Sequence, residues 1–309
     1  MNLLFCSAAS NGAEWLAALT RALPAARVHA CSHLPDEVEP PAQGIDYALV
    51  WKPPARLLRD LGSVKAIFNL GAGIDSLTGS GTLPAGVPVV RVEDAGMAEQ
   101  MSEYVVHAVL RQYREFDAYA EAQRARLWRP RARRDKRGFG VGILGLGVLG
   151  SAVAAALQPF GFPLAGWSRT RKTVAGVDSY AGSAELDAFL ARCRLLACLL
   201  PLTRETRGML DRRTLAKLPV GAYLVNVARG GLLVDADLLA LLDQRRIAGA
   251  MLDVFHDEPL RRACVLASSA HQHHTACVGG HAGRTVGRAD RRQDNQARSR
   301  IADHRHRRP

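Results

Sequence analysis

The sequence predicts an α/β protein built on parallel sheets, and three observations carry that expectation. Short apolar, strand-like runs alternate with helical patterns from the start of the chain. A second series of the same alternation begins near residue 141. At the head of that second series, between a strand and a helix, stands a turn with Gly145, Gly147 and Gly150. Length agrees. The chain has 309 residues and 48% hydrophobic content, enough for about two domains at roughly 150 residues each and for a sizeable core.

The elements follow in order. "NLLFCSA" reads as a strand, "AEWLAALTRAL" as a helix, and "YALVW" and "VKAIFNLG" as strands. "VPVVRV" closes this region near residue 92. A long helical pattern then spans roughly 97–125, its apolar positions recurring at three- and four-residue spacing. "RLWRPRARRDKRGFG" is polar, basic and turn-rich, and reads as a solvated connector. A nucleic-acid patch would interleave aromatics with its charges on a supporting fold. The second series runs "VGILGLGVLG", "SAVAAALQPFG", "PLAGWSR", "LLACLLP", "AYLVNVARG" and "AGAMLDVF". No internal repeat of fixed short period is visible.

Charge is unevenly placed. The net charge is +12, but residues 261–309 hold 11 Arg, no Lys and 3 Asp, a net of +8. Residues 1–260 carry 30 basic and 26 acidic groups, a net of only +4. The body therefore reads as an ordinary soluble protein with a basic appendix, and neither a nucleic acid nor a membrane is expected as its partner. The six cysteines show no paired framework, so reduced thiols and a cytoplasmic location are expected. "MNLLFCSAAS" lacks a basic n-region and reads as a first strand rather than a signal. No apolar run approaches the ~18 residues of a membrane span.

The glycine turn suggests a cofactor. "GLGVLG" alone is a weak signal, but here it follows a β-branched strand and opens a helix. Gly145 allows the tight turn, Gly147 lets backbone approach a pyrophosphate, and Gly150 permits close helix–strand packing. The N–H groups at Val148 and Leu149 begin a helix whose N-terminus favours phosphate. A site for NAD usually carries Asp or Glu about 20 residues on. Here the next strand ends in "GWSRTRK", so Ser168, Arg169, Arg171 and Lys172 stand where the acid would be. Guanidinium groups bind a 2′-phosphate that an acid would repel, which favours NADPH.

At this point the chain resembles the D-2-hydroxyacid dehydrogenase family, within it the glyoxylate/hydroxypyruvate reductase type. The resemblance lies in "YALVWKPP", "LGAGIDSL", "EDAGMAEQMSEYVV", "GFPLAGWSRTRK", "LLPLTRETRGML", "GAYLVNVARGGLLVDADLLALLD" and "GAMLDVFHDEPL", almost continuously to about residue 260. It implies two Rossmann-like domains: a substrate domain at 1–92 and an NADP-binding domain at 93–260 inserted into it. It implies reduction of a small 2-oxoacid such as glyoxylate or hydroxypyruvate by hydride transfer, and a homodimer with the 97–125 helix in the contact. Arg229 matches the arginine that holds the substrate carboxylate and carbonyl, a task suited to its planar fork. Glu258 matches the carboxylate that keeps a catalytic histidine protonated. Ala72, Gly73 and Ile74 match the turn whose N–H groups bind the substrate carboxylate. Trp51 resembles a pocket wall, though core packing accounts for it as well. Leu200, Pro201, Thr206, Val227, Ala228 and Asp253 match positions around the cofactor.

The chain then departs from the pattern. The family places a Thr-Pro-His motif downstream of the glutamate, at a spacing that lands here on Cys277, in "HTACV". After Leu260 the only Leu or Ile residues are Leu266 and Ile301, and there is no Phe, Trp or Tyr. Such a segment buries too little apolar surface to offset its ordering entropy, so an irregular or disordered tail at 261–309 is expected. Permissible codons for Arg261–Val278, read one base out of step, give a string ending Ile-Ser-Ile-Thr-Pro-His-Val. The tail is therefore expected to be a frameshifted translation beginning near Leu260, leaving a catalytically impaired NADP(H)-binding protein as the other reading. Cys264, His271, His273, His274, Cys277 and His281 are zinc-ligand types, but without paired spacing in a folded context no metal site is expected. His256 shares a loop with Glu258 and would not face the same carbonyl; His107 reads as a helix-surface or packed residue.

Overall fold

The apolar runs are realised as two parallel sheets in a computed structural model, which describes residues 1–7, 12–31, 44–59, 61–71, 73–78, 83–92, 94, 96–258 and 276–278. In the first sheet β1 (Asn2–Ser7), β2 (Arg27–Ala30), β3 (Tyr47–Trp51), β4 (Ala66–Asn69) and β5 (Val89–Arg91) lie in the order β2-β1-β3-β4-β5. Every pairing is parallel. The order 2-1-3-4-5 is that of a doubly wound sheet whose ligands bind at the carboxyl ends of the strands. Helices α1 (Gly12–Ala22), α2 (Ala55–Arg59) and α3 (Asp75–Thr78) make the crossovers. Leu57, Leu58, Leu61 and Leu77 come down on Leu4, Ala48, Val50 and Ile67 of the strands. Each such leucine contributes about 1.5–3 kcal/mol relative to exposure.

The second sheet comprises β6 (Val141–Leu144), β7 (Leu164–Ser168), β8 (Asp178–Ala181), β9 (Leu195–Cys198), β10 (Ala222–Asn226), β11 (Ile247–Leu252) and β12 (Ala276–Val278), in the order β12-β11-β10-β9-β6-β7-β8. Counted from β6, the order is 3-2-1-4-5-6 with one further edge strand, the arrangement of dinucleotide-binding domains. Its central strands are buried on both faces, which is why they read as unbroken apolar runs. Alternate residues serve two cores. Val141, Ile143, Leu195, Ala197 and Val225 face α4 (Met97–Tyr113) and α6 (Val148–Leu157). Leu144, Leu196, Leu224 and Leu252 face α7 (Gly182–Leu190), α8 (Arg212–Leu215) and α9 (Asp235–Asp243). Met101, Val105, Ala108 and Val109 form one stripe on α4 at helical spacing and bury it against α6.

Several expectations are corrected. The helical pattern over 97–125 is two helices, α4 and α5 (Phe116–Arg124), broken at Glu115, whose φ of 56° is left-handed. Glu115 is held there by ion pairs to Arg131 at 2.5 Å and Arg134 at 2.8 Å, which hold its carboxyl below the usual range. Those arginines belong to the connector expected to be merely solvated. Tyr113 Oη also donates to the Arg134 carbonyl at 2.7 Å, and Tyr119 Oη accepts from the Arg131 N–H at 3.2 Å. The connector is therefore pinned to the helix break. Strands β2 and β8 are additions to the expected elements; "RVHA" and "DSYA" are short, partly exposed and near the sheet edges, so neither carries a strong apolar signal.

The tail also departs from expectation at one place. Residues 276–278 are a strand, pairing in parallel with Ala250–Leu252. Three residues able to adopt β backbone suffice to pair the last three residues of the β11 edge. The remaining tail positions, among them Cys264, His271, His273, His274 and His281, lie outside the described residues. Among the described residues, no helix is long and apolar enough to cross a membrane.

Candidate functional site

The residues singled out from the sequence gather at the carboxyl ends of the strands. The turn after β6 is tight enough to need glycine. Gly145 has φ +114°, and a Cβ on Gly150 would lie 1.9 Å from the Gly145 carbonyl oxygen. A Cβ on Gly147 would meet nothing within 4 Å, so this backbone faces open space at the start of α6. Val148 is exposed on the first turn, whereas the Leu149 side chain packs into the core. That first turn carries no acidic side chain. Free N–H groups, open space and no competing carboxylate fit a phosphate group.

The basic run ends β7. Ser168 is buried, its hydroxyl donating to the Thr170 carbonyl at 2.7 Å, which bends the chain so that Arg169 and Lys172 are exposed. Arg171 is turned the other way, onto the Ser179 carbonyl and the Glu185 carboxylate. Arg169 lies toward the neighbouring 201–206 loop, close enough to Glu205 to help hold its carboxyl low after the larger effect of the Thr203 hydroxyl. That loop is closed by Thr206, whose Oγ1 donates to the Pro201 carbonyl at 2.7 Å and accepts from the Thr203 N–H at 2.8 Å. Leu200, Val227 and Ala228 are buried beside it at the ends of β9 and β10. Asp253 continues from β11, its N–H donating to the Asn226 carbonyl at 3.0 Å.

A second cluster brings the two sheets together. Asn226, fully buried, accepts from the Ala228 N–H at 3.2 Å and donates to the Arg229 carbonyl at 3.1 Å, so the turn after β10 is rigid. Arg229 reaches across to the first sheet. Its Nε donates to Asp75 Oδ1 at 3.0 Å, and its Nη1 donates to its neighbour's carbonyl, Ala228, at 2.6 Å. Its Nη2 lies where a Cβ on Gly73 would sit, at 1.6 Å. The Nη2 end of the guanidinium therefore rests against the 73–75 turn. Ile74 is half-buried beside it, and Ala72 lies outside the described residues.

The Trp51 ring lies over Gly71, whose Cβ would come within 2.1 Å of the ring. Gly71→Ala is therefore expected to push the ring off the turn. A shift in tryptophan emission with no loss of secondary structure by circular dichroism would show the ring displaced; unchanged emission would leave it seated on the turn.

Glu258 accepts from the Phe255 N–H at 3.1 Å and lies 3.9 Å from Lys52 Nζ. A Cβ on Gly230 would lie 2.0 Å from the Phe255 carbonyl carbon, so the Glu258 loop packs directly on the Arg229 turn. His256 faces away, its Nε2 2.8 Å from the Leu233 carbonyl oxygen. It lies near Asp235, whose carboxyl is pushed up by burial against the opposing pull of His256. His107 is exposed on α4.

Three residues of this cluster were not singled out from sequence. Lys52 stood inside "WKPP" and Asp75 inside "GIDSL", but only the fold brings each against its partner. Asn69, 1% exposed, donates to the carbonyls of Gly71 at 2.6 Å and Gly73 at 2.9 Å and so shapes the turn under Arg229. A buried Asn ending a strand before a Gly-rich turn is the signal that could have found it.

The family described as "D-isomer specific 2-hydroxyacid dehydrogenase, NAD binding domain" matches residues 106–283, running past Leu260 and through β12. A glyoxylate/hydroxypyruvate reductase A of Serratia proteamaculans (strain 568) is 47% identical over 268 residues, 85% of this chain and 84% of its own. A D-isomer specific 2-hydroxyacid dehydrogenase from Xanthobacter autotrophicus Py2, solved with NADPH and MES, superposes with a TM-score of 0.83 at 39% identity, covering 89% of this chain and 87% of that one. An NADPH-dependent glyoxylate/hydroxypyruvate reductase from Sinorhizobium meliloti, solved with NADP and sulfate, gives 0.81 at 35% identity over the same shares.

Proposed function

This chain belongs to the D-isomer specific 2-hydroxyacid dehydrogenase family, and from that premise we propose that it reduces small 2-oxoacids, glyoxylate and hydroxypyruvate, with NADPH. The two sheets are then the cores of a substrate domain at 1–92 and an NADP-binding domain at 93–260. The observation that carries the reading is the pairing of the glycine turn at Gly145–Gly150 with an exposed Arg169 at the end of the next strand. The two relatives solved with NADPH or NADP support it.

NADPH bound at this turn would supply the hydride for the keto carbon. The chain's residues do the rest. N–H groups at the start of α6 would hold the diphosphate, and Arg169 with Lys172 would hold the 2′-phosphate. Arg229 binds the 2-oxoacid carboxylate and carbonyl with its terminal nitrogens, while the Gly73–Ile74 backbone takes the far carboxylate oxygen. Glu258 would hold a protonated imidazole against the carbonyl. Arg169→Asp is expected to reverse the preference: calorimetric titration of the 309-residue chain should show NADPH bound more tightly than NADH, and the variant the opposite. An unaltered chain that takes NADH more tightly sinks the reading.

A second reading is favoured by one observation. The position expected for the histidine is Cys277, whose backbone forms β12 beside β11. On that basis the tail follows a lost reading frame near Leu260, and the 309-residue chain binds NADP(H) with little turnover.

The chain acts as a homodimer through α5 and the pinned connector. Phe116 and Tyr119 on α5, with Leu127 and Trp128 just beyond, are exposed, Trp128 to 95%. A second copy of that face would cover them. Trp128→Glu is expected to halve the mass in sedimentation equilibrium; a wild-type monomer overturns the assignment.

A further inference from the structure

Cys6 and Cys31 lie side by side at the carboxyl ends of two neighbouring strands. The β1–β2 register pairs Phe5 with Ala30, and the Cys31 N–H donates to the Phe5 carbonyl at 2.9 Å, so the next residues in step are Cys6 and Cys31. Residues in step on adjacent parallel strands point to the same face, and Cys6 belongs to the core on which Cys31 packs. Parallel strands lie about 4.8 Å apart, inside the roughly 4.4–6.8 Å between α-carbons that a disulfide spans. Each thiol shifts the protonation of the other, Cys6 upward and Cys31 downward.

Their surroundings differ in the way an attacking and a resolving thiol differ. Cys6 is buried, and its proton is held by the bond to Cys31 and by burial, which raise it well above the thiol range. Cys31 is half-exposed, and the hydrogen bond from Cys6 lowers it. A stabilised, accessible thiolate beside a second thiol is the arrangement of a redox-sensing cysteine. Cys193 and Cys198 are the contrast: both are buried, and burial pushes each up to about 12.

We propose that Cys6 and Cys31 are a peroxide-reactive dithiol, with Cys31 the attacking sulfur and Cys6 the resolving one. The Cys31 thiolate attacks one oxygen of hydrogen peroxide; an S–O bond forms, the O–O bond breaks and hydroxide leaves, giving a sulfenic acid on Cys31. The Cys6 sulfur then attacks the Cys31 sulfur. The S–S bond forms, the S–O bond breaks, and water leaves carrying the Cys6 proton. The hydroxide takes up the proton that Cys31 lost on forming its thiolate, so two thiols are oxidised and one peroxide is reduced to two waters.

The test uses the full chain, reduced, freed of reductant and exposed to hydrogen peroxide with dimedone present or absent, then alkylated and digested for mass spectrometry. The expected product is a peptide pair joined through Cys6 and Cys31 and lighter by two hydrogens, with Cys193 and Cys198 alkylated only after denaturation. Cys6→Ser should leave Cys31 as a dimedone adduct, and Cys31→Ser should leave Cys6 reduced. Serine is close enough in size that each variant should keep the wild-type melting transition, which is checked in parallel. Two results overturn the proposal: both cysteines alkylated at a peroxide dose that oxidises free N-acetylcysteine, or a dimedone adduct forming on Cys6 in Cys31→Ser as fast as on Cys31 in Cys6→Ser.

Discussion

Replacing residues 261–309 with the segment encoded one base out of step is expected to raise kcat/KM for glyoxylate by about 10²–10⁴-fold, the usual contribution of a positioned general acid. On the proposed function, the other residues that the proton transfer would use precede Leu260. Glu258 is fixed by the Phe255 N–H, and its loop is packed on the Arg229 turn. One of its oxygens faces Lys52 at 3.9 Å, an exposed pair that an imidazole would displace at little cost. The strand that would present the histidine has its place too, at the edge of β11. In the 309-residue chain the residue at that place is Cys277. His256 cannot stand in while its Nε2 rests on the Leu233 carbonyl. The two chains should be assayed side by side by NADPH oxidation, with NADPH affinity measured in each. Equal turnover by both would end the frameshift account of the tail. A large gain in turnover with unchanged NADPH affinity would assign the deficit to the proton and not to the fold.

The sheets were legible because their strands are buried on both faces. Runs such as "LLACLLP" and "AYLVNVARG" have little choice but a central parallel strand, and the glycines at 145 and 150 mark the turn by necessity, since the backbone there has no room for a Cβ. Edge strands were missed for the converse reason: "RVHA" at 27–30 is only partly buried and looks like any polar loop. The helix break at Glu115 was hidden because its cause, the clasp by Arg131 and Arg134, lies 16 or more residues away in sequence. The candidate site divides the same way. Arg229 could be picked out on its motif, but its partner Asp75 lies 154 residues earlier and belongs to the other sheet. Long-range ion pairs leave no periodic trace. The basic run "SRTRK" suggested three cations for one phosphate. In the fold Arg171 pairs with Glu185, while Arg169 and Lys172 are exposed without such a pair among the described residues.

Arg229→Gln is expected to lower kcat/KM by about 30–150-fold, mostly through KM. A guanidinium has five N–H donors. In this structure Nε is used on Asp75 and one Nη1 hydrogen on the Ala228 carbonyl, so three remain, two of them on the Nη2 that lies over Gly73. A carboxylate and adjacent carbonyl placed at that end of the fork would receive a two-point, charge-assisted contact. Removing one member of a desolvated charge pair costs about 2–5 kcal/mol. The Arg229 side chain keeps 34% exposure, so the lower part of that range applies, about 2–3 kcal/mol, and each ~1.4 kcal/mol is tenfold. Arg229→Lys keeps the charge but not the fork and should recover only part of the loss. Because turnover in the 309-residue chain depends on the tail as well, the cleaner measurement is binding of oxalate to the NADP⁺-loaded protein. Arg229→Gln should weaken it by a similar factor, while the NADP⁺ affinity and the melting temperature stay near wild type. If instead oxalate binds unchanged and the melting temperature falls, Arg229 is a tether between the two sheets through Asp75, and the substrate carboxylate is held by backbone N–H groups alone.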